Sequence, residues 1–188
     1  MRQYELNGTT RTAGGKKAAK ALRAEGLVPC NLIGLGKSET FTVKCSDLRN
    51  LVYTSQVYVV NLNLDGKSQL AIVKEMQFSP VEEHILHIDF LAIDIEKPVV
   101  VNIPVKLEGH AEGVKAGGKL VKQLRDLKVK GLVANVPERL VIDVTNLGLG
   151  KTMKVSECAF EGLEVLTSGE AIVAAVRATR ASRQAANR

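Results

Sequence analysis

The sequence predicts a mainly β protein with short helices, divided into two β domains. Three observations carry this expectation. Period-two apolar stretches rich in β-branched residues recur along the chain. Glycine- and proline-bearing turns separate them, and no βαβ rhythm appears. The pattern also breaks at Lys97-Pro98, which places a domain boundary near residue 96. At 188 residues the chain is long enough for each half to bury a core.

In the first half, Tyr4-Glu-Leu-Asn-Gly8 reads as a short strand. Gly14-Gly15 then releases the chain into a helix over Lys16–Glu25, with Gly26 as its C-terminal cap. Strands follow at Leu27–Ile33, Thr40–Lys44, Val57–Leu64, Gln69–Gln77 and Ile85–Ile95. Ser46–Val52 fits a short helix with Ser46 as N-cap, and Asp65-Gly66 between two strands signals a hairpin. In the second half, strands are expected at Val99–Leu107, Leu120–Leu124, Leu127–Leu132, Leu140–Val144, Gly162–Leu166 and Ile172–Val176. Many short strands between turns favour a sandwich or barrel-like domain. Residues 97–177 form this second domain, and 178–188 read as a basic flexible tail.

Charge is concentrated at the ends. The net charge is +6. Residues 1–26 carry six basic side chains and two acids, and residues 177–188 carry four arginines and no acid. The body between them is slightly acidic. Localised positive charge is the footprint of a polyanion partner, or alternatively of a solubilising surface. On a helical wheel Lys16, Lys20 and Arg23 fall within about 60° of one another, with Ala18, Ala21 and Leu22 opposite as the packing side. A merely solvated helix face would more often interleave glutamates as i,i+4 partners, and only Glu25 is available here. A second basic stretch holds Lys115, Lys119, Lys122, Arg125, Lys128 and Lys130, with Asp126 as its acid. It reads either as a further polyanion-facing surface or as a solvated strand pair.

Catalytic and metal signatures fail. Gly150-Lys151-Thr152 resembles the end of a phosphate-binding loop, but position 145 is Thr145 where that loop needs glycine. Gly34-Leu35-Gly36 has no glycine three residues on, and no serine nucleophile elbow is present. Cys30, Cys45 and Cys158 are too scattered for a zinc site or a disulfide framework, and are expected as small buried residues. His84 and His87 lie three apart in a strand-like segment, which points them to opposite sides and argues against a shared metal. No enzyme activity, cofactor or small-molecule substrate is expected. Without an apolar run of membrane-spanning length or a signal segment, no membrane association is expected either, and the chain reads as soluble and cytoplasmic.

Several motifs, in order, carry a family resemblance. The run from Arg11 through Gly14-Gly-Lys-Lys-Ala-Ala-Lys-Ala-Leu-Arg-Ala-Glu-Gly26 to Pro29 resembles the opening of the bacterial large-subunit ribosomal protein twenty-five family, whose long form is also called general stress protein CTC. Ile85-Leu-His-Ile-Asp-Phe90 resembles the end of that family's N-terminal domain. Gly113-Val-Lys-Ala-Gly-Gly-Lys-Leu120, Arg125-Asp-Leu127, Asn135-Val-Pro137, Ile142-Asp-Val-Thr145 and Leu147-Gly-Leu-Gly150 resemble its C-terminal domain. The resemblance covers residues 3–177. It implies an N-terminal β-barrel-like domain, residues 1–96, that binds 5S rRNA within the large ribosomal subunit, followed by a separate β domain.

The RNA-binding positions that carry over are Arg11, Lys16, Lys20, Arg23, Lys74, His87 and Asp89. The C-terminal domain's partner is left open between neighbouring ribosomal proteins and rRNA. An alternative is a stress-related protein-interaction module with RNA contact secondary. Two departures stand near the implied RNA face: Ile33-Gly34 where the family has Tyr-Gly, and Phe78-Ser79-Pro80 where it has Arg-His-Pro.

Overall fold

The fold comes from a computed structural model, which describes residues 2–12, 14–54, 56–82, 84–160 and 162–179. The chain divides into two compact units, the first ending at Val99 and the second beginning at Val100.

The first unit contains β1 (Arg2–Thr10), α1 (Lys16–Ala24), β2 (Leu27–Gly34), β3 (Lys37–Lys44), α2 (Cys45–Val52), β4 (Tyr58–Leu64), β5 (Lys67–Phe78) and β6 (Ile85–Ala92). Its six strands close into a barrel in the order β1-β3-β2-β6-β5-β4. Closure depends on two parallel pairings between distant segments: β1 with β4, in register from Arg2↔Tyr58 to Gly8↔Leu64, and β2 with β6 from Cys30↔Ile88. The remaining pairs are antiparallel. Local chemistry makes the β4–β5 hairpin, because Asp65 (φ 46°) and Gly66 (φ 86°) both adopt the left-handed backbone that a two-residue turn of this hand requires.

Alternation directs Leu6, Val28, Cys30, Leu32, Phe41, Val43, Leu62, Ile88 and Phe90 inward, with the rings of Phe41 and Phe90 5.7 Å apart. Leu48, Leu51 and Val52 of α2 join the same core. Gly8 accommodates this packing, since a Cβ there would stand 2.8 Å from the Phe41 ring.

Strands β1, β2, β3 and β5 run longer than expected from sequence, β4 and β6 are shorter, and the caps differ. Helix α2 begins at Cys45, directly out of β3, so Ser46 lies inside its first turn and bonds to Asp47 rather than capping. Strand β6 stops at Ala92, which leaves Asp94 in a turn, ion-paired to Lys97 at 3.5 Å. Of the cysteines only Cys30 is buried; Cys45 and Cys158 are half-buried, and all three are free. Burial pushes the Cys30 thiol up to about 12.

The second unit contains all but the first two residues of β7 (Pro98–Glu108), then α3 (Glu112–Lys115), β8 (Lys119–Lys122), β9 (Asp126–Leu132), β10 (Leu140–Asp143), β11 (Thr152–Lys154), β12 (Glu164–Val165) and β13 (Ile172–Arg177). These form a four-stranded sheet, β10-β7-β9-β12, and a three-stranded sheet, β11-β13-β8. Strand β11 and α3 are too short to leave a periodic signal in the sequence. Ala111, Val144, Leu147, Ala174 and Val176 form a buried cluster here. Gly113 and Gly118 make it possible, since a Cβ on either would meet other atoms at 2.6 Å. Arg180, Arg183 and Arg188 of the expected basic tail lie outside the described residues. Among the described residues no helix is long and apolar enough to cross a membrane, and no His/Cys/Asp/Glu group could hold a metal ion.

Candidate nucleic-acid interface

The site is built on β6 and its neighbours. Ile85, Ile88 and Phe90 face the core, so His87 and Asp89, two residues apart, share the outer face. Both are about four-fifths covered: their side chains keep 19% and 21% of their accessible surface. His87 Nδ1 stands 3.6 Å from Asp89 Oδ1, close enough for an ionic contact but too long for a hydrogen bond. Asp89 Oδ1 is therefore a buried acceptor that takes no hydrogen bond among the described residues.

Two bulges shape this ladder. Between Val73↔Phe90 and Glu75↔Asp89, β5 carries one extra residue, Lys74. Bulges re-aim the side chain they carry, and Lys74 is exposed next to Asp89's position in the ladder. Between Gln77↔His87 and Phe78↔Ile85 the extra residue is Leu86 of β6. The Leu86 carbonyl, displaced from regular pairing, accepts a 3.0 Å hydrogen bond from Arg23 Nε. That bond ties α1 to the strand bearing His87 and Asp89.

It also corrects the expected orientation of α1. Helical spacing puts Ala18 and Ala21 on the packing side, yet both are exposed, as is Glu25. The half-buried residues are Ala19, Leu22 and Arg23. The bulge carbonyl offers an arginine a charge-assisted bond, and the small alanine side chains offer little area to compete with it. Arg23 thus acts as a strut, and Lys16 and Lys20, adjacent to it on the wheel, remain exposed.

Arg11 follows β1 and is clamped to β3 by two bonds: its N–H donates to Thr40 O at 2.9 Å, and Thr40 Oγ1 donates to Arg11 O at 2.7 Å. Thr40 pairs with Asn31, and Asn31 with Asp89. Arg11, Thr40, Asn31 and Asp89 therefore form a continuous row across β3, β2 and β6. Arg11 is half-buried, and its Nε donates no hydrogen bond among the described residues. The row thus holds an unused donor at one end and an unused acceptor at the other.

All seven residues expected to bind RNA belong to this unit. His87 and Asp89 are brought side by side, Lys74 lies beside them across the ladder, and Arg23 bonds to their strand. Lys16 and Lys20 are carried on the same helix as Arg23, while Arg11 stands at the far end of the row. Sequence reasoning missed Asn31, Thr40 and Gln77, which complete the polar surface; Asn31, the one polar side chain in Leu27–Ile33, was a readable signal. It did not foresee Glu75, which places a second acid opposite Asp89. The departures separate as well. Ile33 shares the outer face with Asn31, whereas Phe78 is paired with inward-facing Ile85 at the strand's overhanging end, 42% exposed. The Phe78 change is therefore not on the His87 face.

This unit is a closed β-barrel whose polar outer face joins cations, amides and a carboxylate oxygen that takes no hydrogen bond among the described residues, and a second compact β unit follows it in the chain. Residues 6–90 match the ribosomal L25p family, and residues 98–180 match the C-terminal domain of ribosomal protein TL5. Curated relatives span the full length. The large ribosomal subunit protein bL25 of Phocaeicola vulgatus is 55% identical over 193 residues, covering 99% of this chain and 98% of the relative. Those of Bacteroides thetaiotaomicron and Porphyromonas gingivalis are 52% and 51% identical, each covering 99% of this chain and 97% and 98% of the relative. The chain belongs to the ribosomal L25p family, in the form that carries a TL5-type C-terminal domain. That is a family of ribosomal proteins, not of enzymes.

Proposed function

We propose that this protein is a structural constituent of the large ribosomal subunit and binds 5S rRNA through α1 and the outer face around β6. The relatives' names support the ribosomal part of the reading. The observation that carries the RNA face is the partly exposed row ending in the largely covered Asp89, whose buried Oδ1 accepts nothing among the described residues. Buried polar atoms are almost always paired, with protein or with ordered water, and for Asp89 Oδ1 the donor is assigned here to RNA.

An A-form duplex presents phosphates, 2′-hydroxyls and shallow-groove base edges. Lys16, Lys20 and Lys74 supply charge for the phosphates. Asp89 is repelled by phosphate, so its role is to accept from a 2′-OH or a base N–H, with His87 beside it. Arg11 Nε supplies the corresponding donor. Arg23 positions α1 against β6. In the cell this activity locates the protein on ribosomes.

Filter binding of the full chain to 5S rRNA tests the reading. Lys16→Gln with Lys20→Gln should lower affinity and reduce the slope of log K against log salt by about 1 for each phosphate no longer neutralised. Unchanged affinity and slope would exclude α1 from the interface. Undiminished ribosome association by that variant would favour the protein-interaction alternative.

A further inference from the structure

A second concentration of positive charge stands in the other unit, where β13 ends beside the start of β8. The register of this antiparallel pair sets Arg177 directly opposite Lys119. Directly opposed residues share a face with Cβ atoms about 5 Å apart, and like charges there are destabilising. Both side chains are exposed, as is Lys115 on the adjoining α3. Among the described residues none of the three forms an ion pair, although Glu112 lies only one turn back on α3. Other lysines of the basic stretch are committed elsewhere: Lys122 Nζ bonds to Val105 O and Lys130 pairs with Glu164 at 3.1 Å.

The corner is held rigidly. Thr179 Oγ1 donates to Gly117 O at 2.7 Å, which fastens the chain beyond Arg177 to the turn that precedes Lys119. Gly118 in that turn is packed so tightly that a Cβ would meet Val176 Cγ1, Leu149 Cδ1 and Gly113 O, each at 2.6 Å. The two charges cannot drift apart by a shift of register. In sequence, Arg180, Arg183 and Arg188 continue the same sign.

We infer that the Lys115–Lys119–Arg177 corner is a second nucleic-acid contact that binds the backbone phosphates of an RNA duplex, separate from the site on the barrel. An opposed pair of cations costs the free protein stability. A phosphate bridging Lys119 and Arg177 removes that repulsion and lets the rigid Arg177 guanidinium make charge-assisted bonds.

The test uses the full chain and a duplex RNA of about 20 base pairs. The variants are Lys119→Glu, Arg177→Gln and the pair Lys119→Gln with Arg177→Gln, each made with and without Lys16→Gln and Lys20→Gln. Each duplex phosphate contact contributes about 0.9 to the salt slope, which corresponds to about eightfold in affinity between 1 M and 0.1 M salt. The Gln pair should lower the slope by about 2 and the affinity at 0.1 M by on the order of 50-fold, in both backgrounds. Lys119→Glu should do the same while raising the melting temperature, because Glu opposite Arg177 replaces repulsion by attraction. That opposition of stability and binding cannot come from misfolding. Unchanged RNA affinity and slope in the folded variants would overturn the inference. So would unchanged RNA affinity together with abolished binding to an acidic polypeptide, which would assign the corner to a protein partner. Weakening confined to the Lys16/Lys20 variants would leave the barrel site standing and remove this one.

Discussion

Replacing Asp89 by alanine separates two physical accounts of the barrel face because they differ in sign. If Asp89 were simply an acid near phosphates, its removal would help binding. Two unit charges about 8 Å apart in water repel by about 0.5 kcal/mol, so affinity would rise about twofold. If Oδ1 accepts a hydrogen bond from RNA, the loss is that of a bond to a charged group, about 1.5–3 kcal/mol, or about 10-fold to 150-fold in affinity. The hydrogen bond outweighs the repulsion, and binding should weaken. The salt slope should stay the same, since every phosphate keeps its cation.

The free protein should not suffer. Among the described residues Oδ1 is buried without a donor, an arrangement that costs about 1–3 kcal/mol, and the contact with His87 at 3.6 Å is partly solvent-screened. The melting temperature of the variant should equal or exceed that of the parent. Filter binding to 5S rRNA between about 0.1 M and 0.5 M salt and a thermal melt suffice. A folded Asp89→Ala chain that binds as tightly as the parent, or tighter, would refute the assignment of this carboxylate as an acceptor for RNA.

Other consequences can be checked in the same preparations. Arg23→Met keeps the stem but removes the bond to Leu86 O; it should cost about 1.5–3 kcal/mol, and hydrogen exchange should quicken in α1 before the barrel. Phe41→Ala empties the barrel core beside Phe90 and should cost about 3–5 kcal/mol in denaturant unfolding. Gly113→Ala drives a Cβ to 2.6 Å from the backbone of Gly148 and Leu149, so unfolding probes in the second unit should shift while 5S rRNA affinity holds. The Cys30 thiol, pushed up by burial to about 12 from 9.0, should resist thiol reagents at about pH 8 that label Cys45 and Cys158. Because its folded value is the higher one, its contribution to stability is complete below about pH 9. It declines by about 1.4 kcal/mol per pH unit as the pH rises toward 12, which a Cys30→Ala comparison in alkaline melts would reveal.

Much of the site was legible because its signals are local. The run from Lys16 to Arg23 shows a basic stripe by helical spacing alone, and His87 and Asp89 share a face by strand alternation. What the spacing could not show was which part of α1 meets the barrel. Ala18 and Ala21 look like a packing face only if hydrophobic area decides. In the folded chain the deciding group is a carbonyl freed by the bulge at Leu86, from a strand 63 residues away. Lys74 is another such case. Strict alternation assigns it a face, but the extra residue in β5 resets that assignment for everything after Val73. The row from Arg11 through Thr40 and Asn31 to Asp89 draws on four separate segments and exists only once they are paired.

By itself, then, the sequence determined the type of most elements and the Asp65-Gly66 turn, and it marked the residues expected to meet RNA. Each follows from side chains within a few positions of one another. Tertiary structure alone decided the barrel's closure through the parallel β1–β4 and β2–β6 pairings, the two bulges, and the opposition of Lys119 and Arg177. Register between distant strands is set by which pairing buries the most apolar surface and satisfies the most backbone. That is a property of the assembled sheet and not of any one segment. It leaves Asp89 Oδ1 without a hydrogen-bond donor among the described residues and sets Lys119 opposite Arg177, two juxtapositions that no single segment carries.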